Sequence, residues 1–231
     1  APEARAPGGQ LGDSHILGVE QVVPPDARKD ATVAAVHASD ASKYTLLWDD
    51  GSASLVEAIL AGRFDQRGKR ILEHRLKVRG EVGPVPQGKA TMAVMRSGEN
   101  GTTCARLMAD NRISLSREVT VSQGLLGGTT TETRYLWIDR NIPGKITAMT
   151  LNQAGDTLYA GTDNGRLLVV QTDDEGGIVF QDAVVAFPDE RAITALAMVY
   201  GDVSLAVGDS QGGLTTWSEI RTEEERRLVR I

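Results

Sequence analysis

The sequence predicts an all-β, β-propeller-like chain of about four four-stranded blades, and three observations carry the prediction. The stretch 146–171, ITAMTLNQAGDTLYAGTDNGRLLVVQ, reads as strand, turn, strand, hairpin, strand. The pattern returns 47 positions later, taking Ile146 to Ile193, Gly161 to Gly208, Gly165 to Gly212 and Leu167 to Leu214. Turn signals of the same kind recur at 51, 111, 165 and 212, each between two apolar runs. A self-similar period with three or four short strands per unit is the signature of a propeller blade.

In chain order, residues 1–13 are rich in Ala, Pro and Gly and read as a linker or flexible terminus. The propeller-like domain spans 14–231. It opens on a strand at 15–23, closed by Pro24-Pro25 and a solvated turn at 26–30. The first blade, 31–79, has strands at 32–36, 44–48, 52–56 and 70–78. Its hairpin turns on Asp50-Gly51, read as a type I′ pair because both central residues of that turn need φ > 0. A polar connection with Gly62 and Gly68 precedes the fourth strand, and 54–61 is ambiguous between strand and helix.

The second blade, 89–140, follows a Gly/Pro-rich joint and places strands at 90–95, 104–108, 112–116 and 133–139. Asp110-Asn111 takes its hairpin turn, since Asn tolerates the left-handed region. An insertion at 119–131 carries Gly124, Gly127 and Gly128. The third blade, 145–187, has strands at 146–151, 157–161, 166–170 and 178–185, with Asn164-Gly165 as another type I′ pair. The fourth, 192–231, has strands from 193, 205 and 214, and an outer strand begins at 228 after the charged turn 223–227. The turn positions differ by 60, 54 and 47, which places loop insertions in the early blades.

Ring closure poses a problem. Four blades is the low end for a closed propeller. Strand 15–23 is left over, because the fourth repeat supplies its own outer strand. The ring is therefore expected to continue beyond Ile231, or to be completed by a partner or by edge-to-edge self-association.

Composition narrows the function classes. The net charge is −6, from 25 basic and 31 acidic residues, which argues against a nucleic-acid surface. Hydrophobic content is 41%, and no run approaches the roughly 18 apolar residues of a membrane helix. The single cysteine, Cys104, excludes an internal disulfide, and His15, His37 and His74 show no metal-ligand spacing.

Candidate chemistry is weighed residue by residue. Asp49-Asp50 and Asp163-Asn164-Gly165 do not extend into a calcium-loop pattern and read as turn chemistry. Asp173-Asp174-Glu175 and Glu223-Glu224-Glu225 read as solvated charge. The segment 124–131 offers backbone N–H groups and hydroxyls to an anion but lacks the Lys of a phosphate loop, so it reads as an inter-strand insertion. Ser122, Ser204 and Ser210 lack a nucleophile-elbow context. Cys104 reads as a core thiol. Trp48, Trp137 and Trp217 read as blade packing, and Arg134, Arg140, Arg166 and Arg191 as blade-edge side chains. The expected catalytic, cofactor-binding and metal sites are none, no cofactor is expected, and the chain is not expected to be an enzyme.

The text 193–217, ITALAMVYGDVSLAVGDSQGGLTTW, with RRLVRI at 226–231 and TRYLW at 133–137, resembles the soluble WD-repeat-like insertion of proteobacterial phosphate ABC transporter permeases (PstC-like). The likeness is best over about 130–231. The WD dipeptide is degenerate here: Trp217 is followed by Ser218, and Trp48-Asp49 sits on the wrong strand for the usual motif. The resemblance implies a parent protein embedded in the inner membrane, with this domain facing the periplasm. It implies a non-catalytic interaction or regulatory role toward protein partners, either transporter subunits or the phosphate-binding protein, and no catalytic or ligand residue is carried over. The alternative is a free-standing WD-repeat scaffold without a transport role. A propeller enzyme or cofactor binder would need acidic, His or Arg side chains converging on a central channel, and the sequence shows no such set.

Overall fold

A computed structural model of the chain describes residues 5–6, 9–10, 31–39, 42–80, 82, 85–98, 101–122, 129–173, 175–199, 203–221 and 226–231. The strand expected at 15–23, the turn at 26–30, most of the glycine-rich insertion and the acidic run 223–225 lie outside these residues. Within the stretch read as a linker, β1 (Arg5–Ala6) pairs with β2 (Gly9–Gln10).

Four antiparallel four-stranded sheets follow in chain order, and the architecture is a β-propeller. Blade one is β3 (Val33–Ala38), β4 (Lys43–Trp48), β5 (Ala53–Phe64) and β6 (Arg70–Arg79). Blade two is β7 (Ala90–Gly98), β8 (Gly101–Met108), β9 (Ile113–Ser122) and β10 (Thr129–Ile138). Blade three is β11 (Ile146–Leu151), β12 (Thr157–Thr162), β13 (Arg166–Thr172) and β14 (Ile178–Val185). Blade four is β15 (Ile193–Val199), β16 (Ser204–Asp209), β17 (Leu214–Arg221) and β18 (Arg226–Arg230). No helix of the described residues is long and apolar enough to cross a membrane.

The segment ambiguous between helix and strand is strand. Ser54 pairs with β4 and residues 55–61 pair with β6, so alternate side chains take opposite faces. Gly62 lies inside β5 and not in a connection; only 65–69 turns. The early-blade insertions take the same form. β5 and β6 have 12 and 10 residues against 7 and 8 for β13 and β14, so the extra sequence lengthens the outer hairpin. In blade two Val119 and Thr129 to Thr131 are likewise strand.

The hairpin turns at 51, 111, 165 and 212 share one geometry, and it is not type I′. Only the last turn residue has positive φ: Gly51 at 85°, Asn111 at 68°, Gly165 at 74° and Gly212 at 83°. Each N–H bonds the carbonyl three residues back, on Trp48, Met108, Thr162 and Asp209. This is a type I turn followed by a left-handed residue, the three-residue hairpin with a bulge. Each inner strand carries a second irregularity just after its start, between Val33 and Ala35, Ala90 and Met92, Ile146 and Ala148, and Ile193 and Ala195. The repeat is thus written in backbone geometry even where side chains diverge.

The core lies between blades. Leu47 and Leu55 of blade one meet Ala93, Met95 and Cys104 of blade two. Leu107 and Ile113 of blade two meet Met149 and Leu158 of blade three. Leu167 and Val169 of blade three meet Ile193, Leu205 and Trp217 of blade four. Among the described residues no core cluster joins blade four to blade one. The joints among the described residues therefore run between successive blades.

His37 of β3 has its Nε2 buried without a hydrogen-bond partner, and burial lowers its pKa. A lowered pKa means the unfolded chain binds the proton more readily, so stability falls as pH drops below about 6.5. Denaturant titrations at pH 7 and pH 5 are expected to show a smaller acid loss for His37→Gln than for the parent chain. Equal losses would remove His37 as a contributor.

Candidate interaction surface

Among the described residues, most of the acidic side chains singled out from sequence are held within turns. Asp49 accepts from the Thr32 hydroxyl at 2.6 Å, which holds its carboxyl below the usual range. Asp50 accepts from the Ser52 N–H at 2.8 Å and its hydroxyl at 2.6 Å. Asp163 accepts from the Lys145 N–H at 2.9 Å, while Asn164 donates to Pro143 O at 2.7 Å. Asp173 accepts from the N–H groups of Glu175 and Gly177. Among the described residues no group of three or more His, Cys, Asp or Glu side chains is arranged to hold a metal ion.

The remaining candidates also have structural partners. Ser204 and Ser218 share a hydroxyl hydrogen bond of 2.8 Å, and the N–H of Ser210 bonds Ala192 O. Cys104 is fully buried between blades one and two, and burial pushes its thiol pKa up. Trp48 and Trp217 are buried, donating to Ser54 and Thr215 at 2.9 Å. Trp137 departs from the packing expectation: it is 40% exposed, with the Arg112 guanidinium 4.6 Å over its ring. Arg134 pairs with Glu132 at 2.9 Å. The carbonyl of Arg140 accepts from Gln181, and the N–H of Arg166 donates to Thr162.

Arg191 does more than edge a blade. Its Nε lies 2.6 Å from Asp189 and its Nη1 2.6 Å from Asp209, whose side chain is fully buried. The guanidinium also sits 5.2 Å over the Phe187 ring. The hydrogen bond with Arg191 depresses the Asp189 carboxyl, and the same contact raises the Arg191 pKa. Asp209 also accepts from Gln211 and Gly213 N–H groups, so one carboxylate locks the blade-four turn to the incoming connector.

Sequence reasoning missed three buried arginines of blade two. Arg96 reaches Leu151 O at 3.2 Å. Arg117 reaches Thr172 Oγ1 at 2.8 Å and Asp173 O at 2.7 Å. Arg106, wholly buried, reaches back to Gly51 O at 3.3 Å and to Ser116 Oγ at 3.4 Å. Each links its blade to a neighbour across a span of 55 residues. One sequence signal was available: Arg106 stands inside a run read as strand, and Arg96 and Arg117 directly follow such runs.

The feature that distinguishes a surface from a joint is blade four itself. Ala148, Tyr159, Leu167 and Val169 form the blade-three face that blade four covers. Their counterparts 47 residues on are Ala195, Ala206, Leu214 and Thr216. None of these is buried, and Leu214 is 71% exposed where Leu167 is 0%. Cross-strand pairing puts Ala206 opposite Thr216, and Gly208 opposite Leu214, on this same face. The result is a flat surface of small and apolar groups with the shape of a blade joint. On the opposite side of blade four, a shallow crevice at its joint with blade three is lined by Thr157, Tyr159, Val169, Glu219, Arg227 and Leu228.

No protein-family profile and no curated protein matches the chain. Among solved structures it is similar to the β-propeller domain of Cps50 (Swd1) from Myceliophteria thermophila. The TM-score is 0.46 and the identity 12%, over 86% of this chain and 70% of that one.

Proposed function

We propose that the chain is a non-catalytic interaction domain that docks a protein partner on the outward face of blade four. The observation that carries the reading is the contrast between Leu167 and Leu214, identical residues at equivalent positions, one covered and one open. Burying a leucine of this kind contributes about 2 kcal/mol, and the small neighbours Ala195, Ala206 and Gly208 allow close approach. Propeller folds usually serve as scaffolds, and the fold by itself does not specify the chemistry served.

The finer reading takes its support from the sequence resemblance. On it, the domain belongs to a phosphate ABC transporter permease of the inner membrane, faces the periplasm, and receives the phosphate-binding protein or another envelope component. A free-standing WD-repeat scaffold uses the same face equally well, as does edge-to-edge association of two copies, because nothing on the face is specific to a transporter.

Titration of the purified chain against the phosphate-binding protein and the transporter subunits separates these readings. The transporter reading expects a complex that Leu214→Glu with Ala206→Arg weakens at least about tenfold, since two charges are forced into an apolar joint. No contact with any of these proteins removes it. A concentration-dependent dimer in sedimentation, lost in the same variant, supports self-association instead.

A further inference from the structure

The β5–β6 hairpin differs in chemistry from the rest of the molecule. β4 begins at Lys43, opposite Glu57, and Ala58 makes the last backbone bond to the blade, to Ser42 O at 2.8 Å. Among the described residues, the two strands from Ile59 to Arg75 pair only with each other, forming a ribbon that projects from blade one. Residues 57–79 contain seven basic and three acidic side chains, a net charge of +4. The rest of the chain holds 18 basic and 28 acidic residues, a net charge of −10.

The ribbon is also two-faced. Val56, Ala58, Leu60 and Phe64 alternate onto one side, with Val78 and Leu76 opposite the first two. At its base this side is continuous with the buried cluster of Leu46, Trp48 and Val56. Toward the tip it is bare: Leu60 is 66% exposed and Phe64 72%. Arg70 lies across Gly62 beside Phe64, a placement that a Cβ at Gly62 would obstruct. The other side carries Glu57, Arg63, Glu73, Arg75 and Lys77 interspersed with Ile59, Ala61 and Ile71, with Arg63 and Glu73 paired at 2.5 Å. The tip turn folds Asp65 inward, its carboxylate accepting from the N–H groups of Arg67 and Lys69 at 2.8 Å. Arg67, Lys69 and Arg70 are exposed around Phe64.

We propose that this ribbon is a membrane-contact element, which seats Leu60 and Phe64 in the interfacial layer of an anionic bilayer while Arg67, Lys69 and Arg70 meet lipid phosphates. The argument is complementarity. An aliphatic and an aromatic side chain at the far end of a projecting element, ringed by cations, match a surface that is apolar below and anionic above. A nucleic acid offers no site for Leu60. An acidic protein would need an apolar pocket as well as charge, whereas a bilayer supplies both everywhere. The four positions from Leu60 to Phe64 span about 13 Å of strand, enough for the tip to reach the roughly 5–10 Å depth of an interfacial segment.

The test is sedimentation of the whole chain with vesicles of equal parts phosphatidylglycerol and phosphatidylcholine, and with phosphatidylcholine alone. Binding is expected to the anionic vesicles only and to weaken steeply with salt. Leu60→Ser with Phe64→Ser, and separately Arg67→Glu with Lys69→Glu, are each expected to weaken it at least about tenfold. These residues are exposed, so both variants are expected to keep the parent circular dichroism and melting temperature. A Phe64→Trp chain is expected to show a blue-shifted emission on anionic vesicles. Failure to bind vesicles, or unchanged binding by either double variant, overturns the proposal, as does binding to poly-glutamate or DNA with none to vesicles. The ribbon variants leave the blade-four face intact, so this outcome is independent of the partner titration.

Discussion

Gly165→Ala is expected to lower stability by about 3–4 kcal/mol, while Gly212→Ala at the equivalent turn lowers it by about 1 kcal/mol. Both glycines have positive φ, 74° and 83°, so both substitutions carry the left-handed penalty. They differ in what surrounds them. A Cβ on Gly165 would lie 2.6 Å from Phe187 O and 3.0 Å from Arg191 O, both backbone atoms of the connector to blade four. That connector is pinned where it is, since Ala186 and Phe187 both donate their N–H groups to Gly165 O. A Cβ on Gly212 would meet nothing within 4 Å. Thermal melts should therefore fall by about 10 °C for the first variant and about 3 °C for the second. Equal losses would mean that the connector yields, and that the contrast between covered and open blades is not rigid.

Arg106→Ala is expected to cost about 3–5 kcal/mol, and Arg106→Met clearly less. The guanidinium is wholly buried and ties the carbonyl of Gly51 in blade one to Ser116 in its own blade. Burial pushes its pKa down to about 10, so it remains charged at neutral pH and carries a desolvation cost. Alanine removes the hydrogen bonds and leaves a cavity; methionine keeps the volume of the stem and removes the desolvation cost. Urea denaturation of the three chains orders these terms. If methionine proves as damaging as alanine, the hydrogen bonds outweigh packing at this joint.

Much of the architecture was legible because a blade writes its period into turns. A glycine or asparagine that must adopt positive φ is visible without any neighbour, and 51, 111, 165 and 212 each mark one. The type I′ reading of Asp50-Gly51 and Asn164-Gly165 failed because the dipeptide does not reveal that the turn begins one residue earlier. Segment 54–61 was ambiguous since its apolar run is read by a partner strand 12 to 24 positions away in sequence. The buried arginines were invisible for a different reason. Their partners are neutral carbonyls and hydroxyls, most of them on adjacent blades, which leave no charge pattern to detect. The ribbon's charge was present in the composition but hidden beneath a net of −6.

The three joints, with none between blades four and one among the described residues, have a mechanical consequence. In a closed ring, freeing any blade breaks two joints. Among the described residues the first and last blades each hang on one. Cooperativity then decays along the chain as in a one-dimensional stack, where each unit senses only its neighbours. Blade four can open by severing the Leu167–Leu205 contact region alone, while losing blade two or three divides the molecule. Hydrogen exchange would register this as a gradient, with protection greatest in β8 and β12 and least in the outer strands of the terminal blades. Any body that seats on blade four converts an end of this stack into an interior, and gives that blade a second joint to break.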